Sequence, residues 1–301
     1  MPELPDITIY IEALEPRIVG RAIEHVRIRG PLFVRSFDPP VEAAETHRVQ
    51  RIGRLGKRIV FELTDDLYIV IHLMIAGRFR WYDRPGQAIP AKVGVAAFDF
   101  EHGALLVTEA ATQKRASMHL VRGRPQLAVH DPGGLDVLDA DLDAFTAALQ
   151  RENHTLKRSL TDPRLFSGIG NAYSDEILHT ARLSPLKQTD KLSTDEITRL
   201  YDATLSTLNH WTAHLRREFA CRFPGPGDIT AFRPGFAVHG KFDQPCPVCA
   251  TKVQRIRYAG HETNYCPRCQ TAGRLLADRS LSRLLKKDWP KTIEQLEGQS
   301  P

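Results

Sequence analysis

The sequence lacks the features of several large protein classes. No run of apolar residues is long enough to span a membrane, and the chain contains no internal repeat or low-complexity tract. It does not open with the charged, then apolar, then small-residue pattern of a secretory leader, so we expect a cytoplasmic protein of bacterial type. Its 301 residues are enough for two ordinary domains, each with its own core.

Cysteine is scarce, and its spacing is informative. Four of the five cysteines form two C-x2-C pairs in the arrangement C-x2-C-x16-C-x2-C, and Cys221 stands apart. Such pairs are typical of a four-thiolate zinc site, because each pair supplies half of a tetrahedron. A complete set of four thiolates leaves no open coordination position. We therefore expect one structural Zn²⁺ held by Cys246, Cys249, Cys266 and Cys269, with four buried free thiols as the alternative.

The excess of positive charge is modest. The chain has 41 Lys and Arg against 36 Asp and Glu, a formal net charge of +5. This balance permits an anionic partner without requiring one. Basic residues cluster with interleaved apolar residues at 47–58, 113–124 and 216–222, a pattern that fits either phosphate contact or solvated faces of strands and helices.

Hydrophobic patterning changes along the chain. Residues 7–19 place apolar side chains at helical spacing, although their β-branched residues leave a strand open. Short apolar runs between 23 and 122, split by Gly, Pro and Asp, indicate an antiparallel β-sandwich or barrel. Helical periodicity then runs from 140 to 219, and residues 273–289 read as an amphipathic helix.

This order predicts an α+β protein with two domains. The first is a β-sandwich with an N-terminal helix, and the second is a helical domain that ends in a four-cysteine zinc finger. The expected boundaries are 1–130 for the sandwich, 136–222 for the helical domain, 235–270 for the finger and 273–301 for a helical C-terminal extension.

Two short motifs carry candidate chemistry. Removal of Met1 would leave Pro2 with a free secondary amine, a nucleophile, beside Glu3 as a proton donor. The plainer interpretation is a terminus stiffened by prolines. In GIGNAYSDEIL, Asn171 begins a helix whose backbone N–H groups could cradle an anion, with Lys157 upstream. Here the plainer interpretation is a glycine turn with an asparagine cap.

These motifs together resemble the formamidopyrimidine-DNA glycosylase/endonuclease VIII family of bifunctional DNA repair enzymes. The resemblance rests on the PELP start, the β-rich first half, the GIGNAYSDEIL helix–two-turn–helix and the four-cysteine finger, in the family's order. It covers residues 2–270 and leaves out the tail beyond 273.

The resemblance implies a function and a mechanism. It implies a DNA glycosylase with abasic-site lyase activity in base excision repair, acting on double-stranded DNA with damaged bases or abasic sites. The DNA would lie in a groove between two domains, with the damaged nucleotide flipped out of the stack. The resemblance also implies a monomeric, nucleoid-associated protein with one structural Zn²⁺ and no membrane partner.

The family's functional residues map onto this sequence. Pro2 matches the nucleophile, Glu3 the acid that assists at the sugar ring, and Lys57 the lysine that supports elimination. The expected DNA-binding residues are His72, Lys114, Arg115, Lys157, Asn171 and Arg255.

The chain departs from the family pattern mainly where DNA is recognised. Asp6 stands where the family usually has Glu, and His261 where it has a phosphate-clamping Arg, for which Arg255 or Arg257 could compensate. At the void-filling positions, Ile75 aligns with an inserting Met, although the neighbouring Met74 could serve.

Further departures concern the two recognition loops. Lys114 replaces the Arg that reads the opposite base, and Ala116 replaces a Phe wedge. The loop at 223–232 is too short to cover 8-oxoguanine as in the family. An Arg-to-Lys change loses a bidentate fork, so the preferred lesion and opposite base should differ from the 8-oxoguanine type.

Two other functions fit parts of the sequence. A non-catalytic binder of DNA damage could keep the same scaffold, and retention of Met1 would favour it because an acylated Pro2 nitrogen cannot attack. A zinc-ribbon protein that contacts RNA or the transcription machinery would need neither the Pro2-Glu3 start nor the GIGN helix.

Overall fold

The computed structural model describes residues 1–258, 261–277 and 290–297. The chain forms two compact units. The first unit contains Met1–Pro132 and Trp211–Ala231, and the second contains Gly133–His210 and the described residues from Phe232 onward. No helix among the described residues is long and apolar enough to cross a membrane.

The first unit begins with helix α1, Leu4–Ile18. Ile7, Tyr10, Leu14 and Ile18 recur at helical spacing, and all four are fully buried. The predicted helix is therefore confirmed, and the strand alternative is wrong, because one continuous apolar stripe packs into the core despite the β-branched residues.

Eight antiparallel strands follow α1 in two four-stranded sheets. Their bounds are β1 His25–Ile28, β2 Val49–Leu55, β3 Arg58–Leu63, β4 Leu67–His72, β5 Gly77–Tyr82, β6 Gly94–Phe100, β7 Gly103–Glu109 and β8 Ser117–Arg122. One sheet has the order β2-β3-β4-β8 and the other β1-β6-β7-β5. The short helix α2, Arg124–Ala128, follows β8.

The core of the first unit lies between the two sheets. Phe61 on β3 meets Phe98 on β6 edge-on, with ring centroids 6.2 Å apart. Tyr10 on α1 packs against Phe79 on β5 at 5.2 Å. Apolar side chains from both sheets and from α1 join one buried cluster, which confirms the predicted sandwich with its N-terminal helix.

The second unit is mainly helical. It contains α3 Leu142–Gln150, α4 Leu156–Thr161, α5 Asn171–Thr180, most of α6 Thr194–Glu218, the hairpin β9 Gln254–Tyr258 and β10 His261–Tyr265, α7 Pro267–Thr271 and α8 Ile293–Glu297. Phe145 on α3 anchors the helical core against Phe166 and Tyr201, at centroid distances of 5.0 and 5.4 Å. The last residues of α6, Trp211–Glu218, belong to the first unit.

The predicted amphipathic helix at 273–289 falls largely outside the described residues, since 278–289 are not among them. Within the described part, Arg274 pairs with Thr292 as an isolated bridge.

Candidate functional site

The N-terminus of the first unit is buried and held by its own helix cap. Pro2 is buried, and Glu3, the N-cap residue of α1, is only 2% exposed. The Glu3 backbone N–H donates to Oδ2 of Asp6 at 2.9 Å, and the Glu3 side chain accepts the backbone N–H of Asp6. Asp6 is thus long enough to complete the cap, although the family usually has Glu there. The cap fixes Pro2 and Glu3 against the start of a rigid helix.

The terminal amine lies in an environment that favours its neutral form. Burial lowers the pKa of the Met1 ammonium group. The Glu3 carboxylate raises this pKa, and the Arg78 and Lys57 charges lower it further. A neutral amine carries the lone pair that a nucleophile needs. Removal of Met1 would transfer the terminal position to the Pro2 nitrogen.

Lys57 occupies the tip of the β2–β3 hairpin. Leu55 pairs with Arg58, so Gly56 and Lys57 form a two-residue loop. Gly56 adopts φ +60, which suits the first central position of such a turn. Burial lowers the pKa of Lys57, while the Glu3 carboxylate raises it. Lys57 and Glu3 are therefore electrostatically coupled, and both influence the terminal amine.

His72 closes β4 opposite this hairpin, where it pairs in register with Arg58. Burial lowers its pKa to about 4, and the charges of Arg58 and Lys57 act in the same direction. His72 is therefore neutral near pH 7. It can offer one ring N–H as a hydrogen-bond donor without carrying a charge.

The loop after β4 projects an apolar side chain. Ile75 is 64% exposed, whereas Met74 is half-buried and takes the left-handed conformation with φ 53. Gly77 closes the turn by donating its N–H to the Leu73 carbonyl at 2.8 Å. Of the two candidate void-filling residues, Ile75 is the one that the loop presents at its tip.

The loop expected to be the second recognition loop, residues 110–116, is anchored by Glu109. This carboxylate is 2% exposed and accepts the Arg115 N–H at 2.9 and 3.0 Å and the Ala116 N–H at 3.0 Å. Lys114 and Arg115 are exposed, but Ala116 is 4% exposed and belongs to the core cluster. The Ala116 side chain is therefore not presented as a surface wedge.

In the second unit, Lys157 lies among internal partners. Its side chain is 12% exposed, and Nζ donates to the Asn171 carbonyl at 2.6 Å, to Ser174 Oγ at 2.8 Å and to Asp175 Oδ1 at 2.6 Å. Asp175, fully buried, also faces His239 Nδ1 at 2.7 Å. Lys157 thus compensates a buried carboxylate and holds the first residue of α5.

Helix α5 is joined to the finger by residues one turn apart. The Asn171 side-chain amide donates to the Glu262 carbonyl at 2.9 Å, and Asp175 accepts the Asn264 N–H at 3.1 Å. His179 Nε2 lies 3.2 Å from Cys246 Sγ. Positions i, i+4 and i+8 share one helix face, so this face of α5 docks the finger.

The four predicted cysteines come together. The sulfurs of Cys246, Cys249, Cys266 and Cys269 all lie within 4.8 Å of one another. A tetrahedral site with Zn–S bonds of about 2.3 Å needs sulfurs separated by about 3.8 Å. The donor set and its spacing fit one structural zinc ion, as the sequence predicted. Cys221 is exposed and lies outside this cluster.

The basic side chains of the finger contact an aromatic ring and a carboxylate. The Arg255 guanidinium lies 3.9 Å from the centroid of the Phe242 ring and 3.5 Å from Glu262 Oε2. Arg257 Nε lies 2.9 Å from the same carboxylate and its side chain is 62% exposed. The finger therefore presents arginines that are partly neutralised by Glu262.

Several residues that shape the site were missed from the sequence. Glu109 and Glu176 anchor loops by accepting backbone N–H groups, Glu176 those of residues 237–239, and Asp175 accepts the backbone N–H of Asn264 on β10. A single Asp or Glu in a sequence does not by itself indicate that its carboxylate binds backbone N–H groups. Within the SDE run after Asn171, helical spacing could have placed Asp175 above Asn171 on one face.

Three family models match successive parts of the chain between residues 1 and 272. They describe the formamidopyrimidine-DNA glycosylase N-terminal domain at residues 1–132, the H2TH domain of the same enzyme at 134–214, and a zinc finger found in FPG and IleRS at 243–272. The predicted resemblance is confirmed.

Individual proteins of this family are similar to the chain in sequence and in structure. The chain is 31% identical over 279 residues to a formamidopyrimidine-DNA glycosylase of Exiguobacterium sibiricum, covering 90% of this chain and 99% of that protein. A complex of Lactococcus lactis Fpg with abasic-site DNA superposes with a TM-score of 0.78 at 27% identity, over 89% and 99% of the two chains. A complex of that bacterium's wild-type Fpg with oxidized-pyrimidine DNA gives 0.78 at 26% identity, over 90% and 100%. The chain belongs to the formamidopyrimidine-DNA glycosylase family.

Proposed function

We propose that this protein is a bifunctional DNA glycosylase and abasic-site lyase of base excision repair. The observation that carries this proposal is the placement of Pro2 and Glu3 at the buried start of α1, where burial lowers the pKa of the terminal amine and the Lys57 charge acts in the same direction. We also expect the protein to act on DNA as a monomer in the cytoplasm of a bacterial cell.

The Pro2 nitrogen, freed by removal of Met1, attacks C1′ of the damaged nucleotide. The new N–C1′ bond forms as the glycosidic bond breaks, and the departing base takes that electron pair together with the proton that the Pro2 nitrogen loses. The C1′–O4′ bond then breaks, its electron pair goes to the ring oxygen with a proton from Glu3, and the nitrogen lone pair forms a C=N bond. The product is an iminium ion, which accepts electrons from the adjacent C–H bond.

Strand cleavage follows by elimination. A base removes a proton from C2′, the C3′–O bond breaks, and the 3′ phosphate leaves with its electron pair. A second elimination releases the 5′ phosphate. We propose that Lys57 assists these steps, because burial lowers its pKa and so favours the neutral amine that can accept a proton.

DNA would be held through its phosphates by residues of both units. We propose His72 as a neutral N–H donor and Lys114, Arg115, Asn171 and Arg255 as further contacts. Lys157 would act through the Asn171 carbonyl that it holds, and so position the start of α5. Phosphate contacts of this kind make affinity fall as salt rises.

The preferred lesion should differ from 8-oxoguanine opposite cytosine. Ile75 offers a shorter, stiffer wedge than Met, Lys114 lacks the fork of Arg, and Ala116 is buried. We propose oxidised pyrimidines or abasic sites as the favoured substrates.

Strand-nicking and base-release assays on a panel of lesion duplexes test this function. The expected result is base release coupled to cleavage that leaves phosphates at both ends of the gap, with oxidised pyrimidines or abasic sites cut fastest. A clear preference for 8-oxoguanine opposite cytosine would overturn the lesion proposal. Tight binding to every duplex without cleavage would overturn the enzyme in favour of a damage-binding protein.

A further inference from the structure

The outer face of β5 carries two arginines beside a cavity. Phe79 points into the core, so Arg78 and Arg80, its neighbours along the strand, emerge on the opposite face. Both line a cavity of about 220 Å³ in the first unit, together with Ile75, Thr108 and Pro226. None of the lining residues carries a carboxylate.

The charges of these arginines lack an acidic partner in this cavity. The Nε atoms of Arg78 and Arg80 are both buried, and neither donates a hydrogen bond to any of the described residues. Arg78 Nη1 donates to the neutral carbonyls of Ile75 and Gly77, at 3.0 and 2.6 Å. Within residues 1–258, 261–277 and 290–297, the Arg80 side chain forms neither a hydrogen bond nor an ion pair.

Another arginine on the same sheet, Arg27, is neutralised by a carboxylate. Arg27 on β1 forms a fork with Asp99, with Nε 2.5 Å from Oδ2 and Nη2 2.9 Å from Oδ1. A half-buried guanidinium without such a partner is costly, because desolvation is not offset by an opposite charge. The cavity is therefore suited to a ligand that supplies the missing negative charge.

We propose that Arg78 and Arg80 form a phosphate-binding site in this cavity. Guanidinium groups match the oxygens of a phosphate and donate to them through charge-assisted hydrogen bonds. The occupant we favour is a backbone phosphate of the damaged strand, a choice that rests on the proposed function. The exposed Ile75 at the cavity rim is the residue expected to enter the DNA. Free inorganic phosphate offers the same chemistry and is the second source.

Inorganic phosphate alone tests the site without DNA. Thermal unfolding of the full chain would be followed in sodium phosphate and in sodium chloride at matched ionic strength. We expect phosphate to raise the Tm of the wild type and of Arg84→Met, an exposed arginine outside the cavity. The rise should disappear in Arg80→Met. Arg80→Lys keeps the charge without the fork and should show a reduced rise, which covers the case that Arg80→Met fails to fold.

The salt dependence of DNA binding distinguishes the two sources. Each lost phosphate contact lowers the slope of log Kd against log salt by about 0.9 on duplex DNA. Arg80→Met should therefore lower this slope by about one on an abasic-site duplex, with Arg84→Met unchanged. If Arg80→Met loses the phosphate-induced rise in Tm but keeps the wild-type salt slope, the ligand is free phosphate and not a DNA phosphate. Equal responses of Arg80→Met and Arg84→Met in both assays would overturn the site.

Failure of the proposed function gives a different pattern. Borohydride trapping of wild-type protein on the same duplex reports the amine chemistry and does not depend on Arg80. If no adduct is trapped while the phosphate-induced rise in Tm still depends on Arg80, the proposed enzyme activity is contradicted and the anion site is supported.

Discussion

At the scale of single residues, Gly77 sets the turn that presents Ile75. A Cβ at Gly77 would lie 2.1 Å from the Leu73 carbonyl oxygen, closer than atoms can approach. The same carbonyl accepts the Gly77 N–H, so the clash cannot be relieved without breaking that hydrogen bond. The exposed Ile75 therefore depends on a residue that has no side chain.

Gly77→Ala should destabilise the protein by about 3 kcal/mol, because the turn must open to admit the methyl group. Urea unfolding measures this change. Gly53→Ala on β2 is the matched control, since a Cβ there meets nothing within 4 Å. Equal stability of the two variants would contradict the tight turn.

His72 gives a second prediction, for stability against pH. Its folded-state pKa is about 4, below the ordinary value of 6.5, so the unfolded chain binds more protons between these pH values. Stability is thus lost as the pH falls from about 6.5 to 4. His72→Gln should lose about 2 kcal/mol less than the wild type over that range.

Urea unfolding at several pH values measures this difference. Because burial also lowers the pKa of His119 and His130, the slope should become shallower in His72→Gln without vanishing. His25→Gln, at a side chain 69% exposed, is the control and should keep the wild-type slope. Identical slopes in all three proteins would show that His72 is not desolvated in the folded state.

At the scale of elements, helix α5 connects the candidate phosphate-binding asparagine to the zinc cluster. Asn171, Asp175 and His179 lie on the face that contacts the finger. A His N–H that donates to a zinc-bound thiolate lowers the negative charge on the four-sulfur cluster. The order of the finger and the position of Asn171 should therefore depend on each other.

His179→Phe keeps a ring of similar size but removes this donor, and we expect zinc release to a chelator to become at least several-fold faster. The measurement is the release rate followed with a colorimetric zinc indicator. Complete removal of zinc should weaken DNA binding while the β-sandwich stays folded by circular dichroism. Thr180→Ala, at an exposed neighbour on α5, is the control. Equal release rates in the two variants would contradict the role of His179.

Element positions could largely be predicted from the sequence, whereas contacts between elements could not. The apolar stripe of α1 and the short apolar runs of strands such as β3 are local patterns, which the sequence shows directly. The contact between His179 and Cys246 joins residues 67 positions apart. Nothing local to either residue encodes that pairing, because it arises only when α5 packs against the finger.

At the scale of the whole molecule, family membership was the most predictable property. Four motifs in a fixed order identify it, and three family models confirm it. The recognition loops were less predictable. Alignment placed Ala116 at a wedge, but its N–H is held by Glu109 and its side chain lies in the core. Lys157 likewise matched a lysine near the lesion pocket, yet its ammonium group compensates the buried Asp175.

The whole-molecule proposal has one chemical centre, the amine at Pro2, and borohydride trapping tests it most directly. The purified protein would be incubated with an abasic-site duplex, borohydride added, and covalent protein–DNA adducts resolved, with Pro2→Gly and a Met1-retaining form in parallel. We predict an adduct for the wild type that is lost in both altered forms, because only a free Pro2 nitrogen gives the proposed iminium. Intact DNA binding without an adduct in the wild type would contradict the enzyme and leave a DNA-binding protein on this fold.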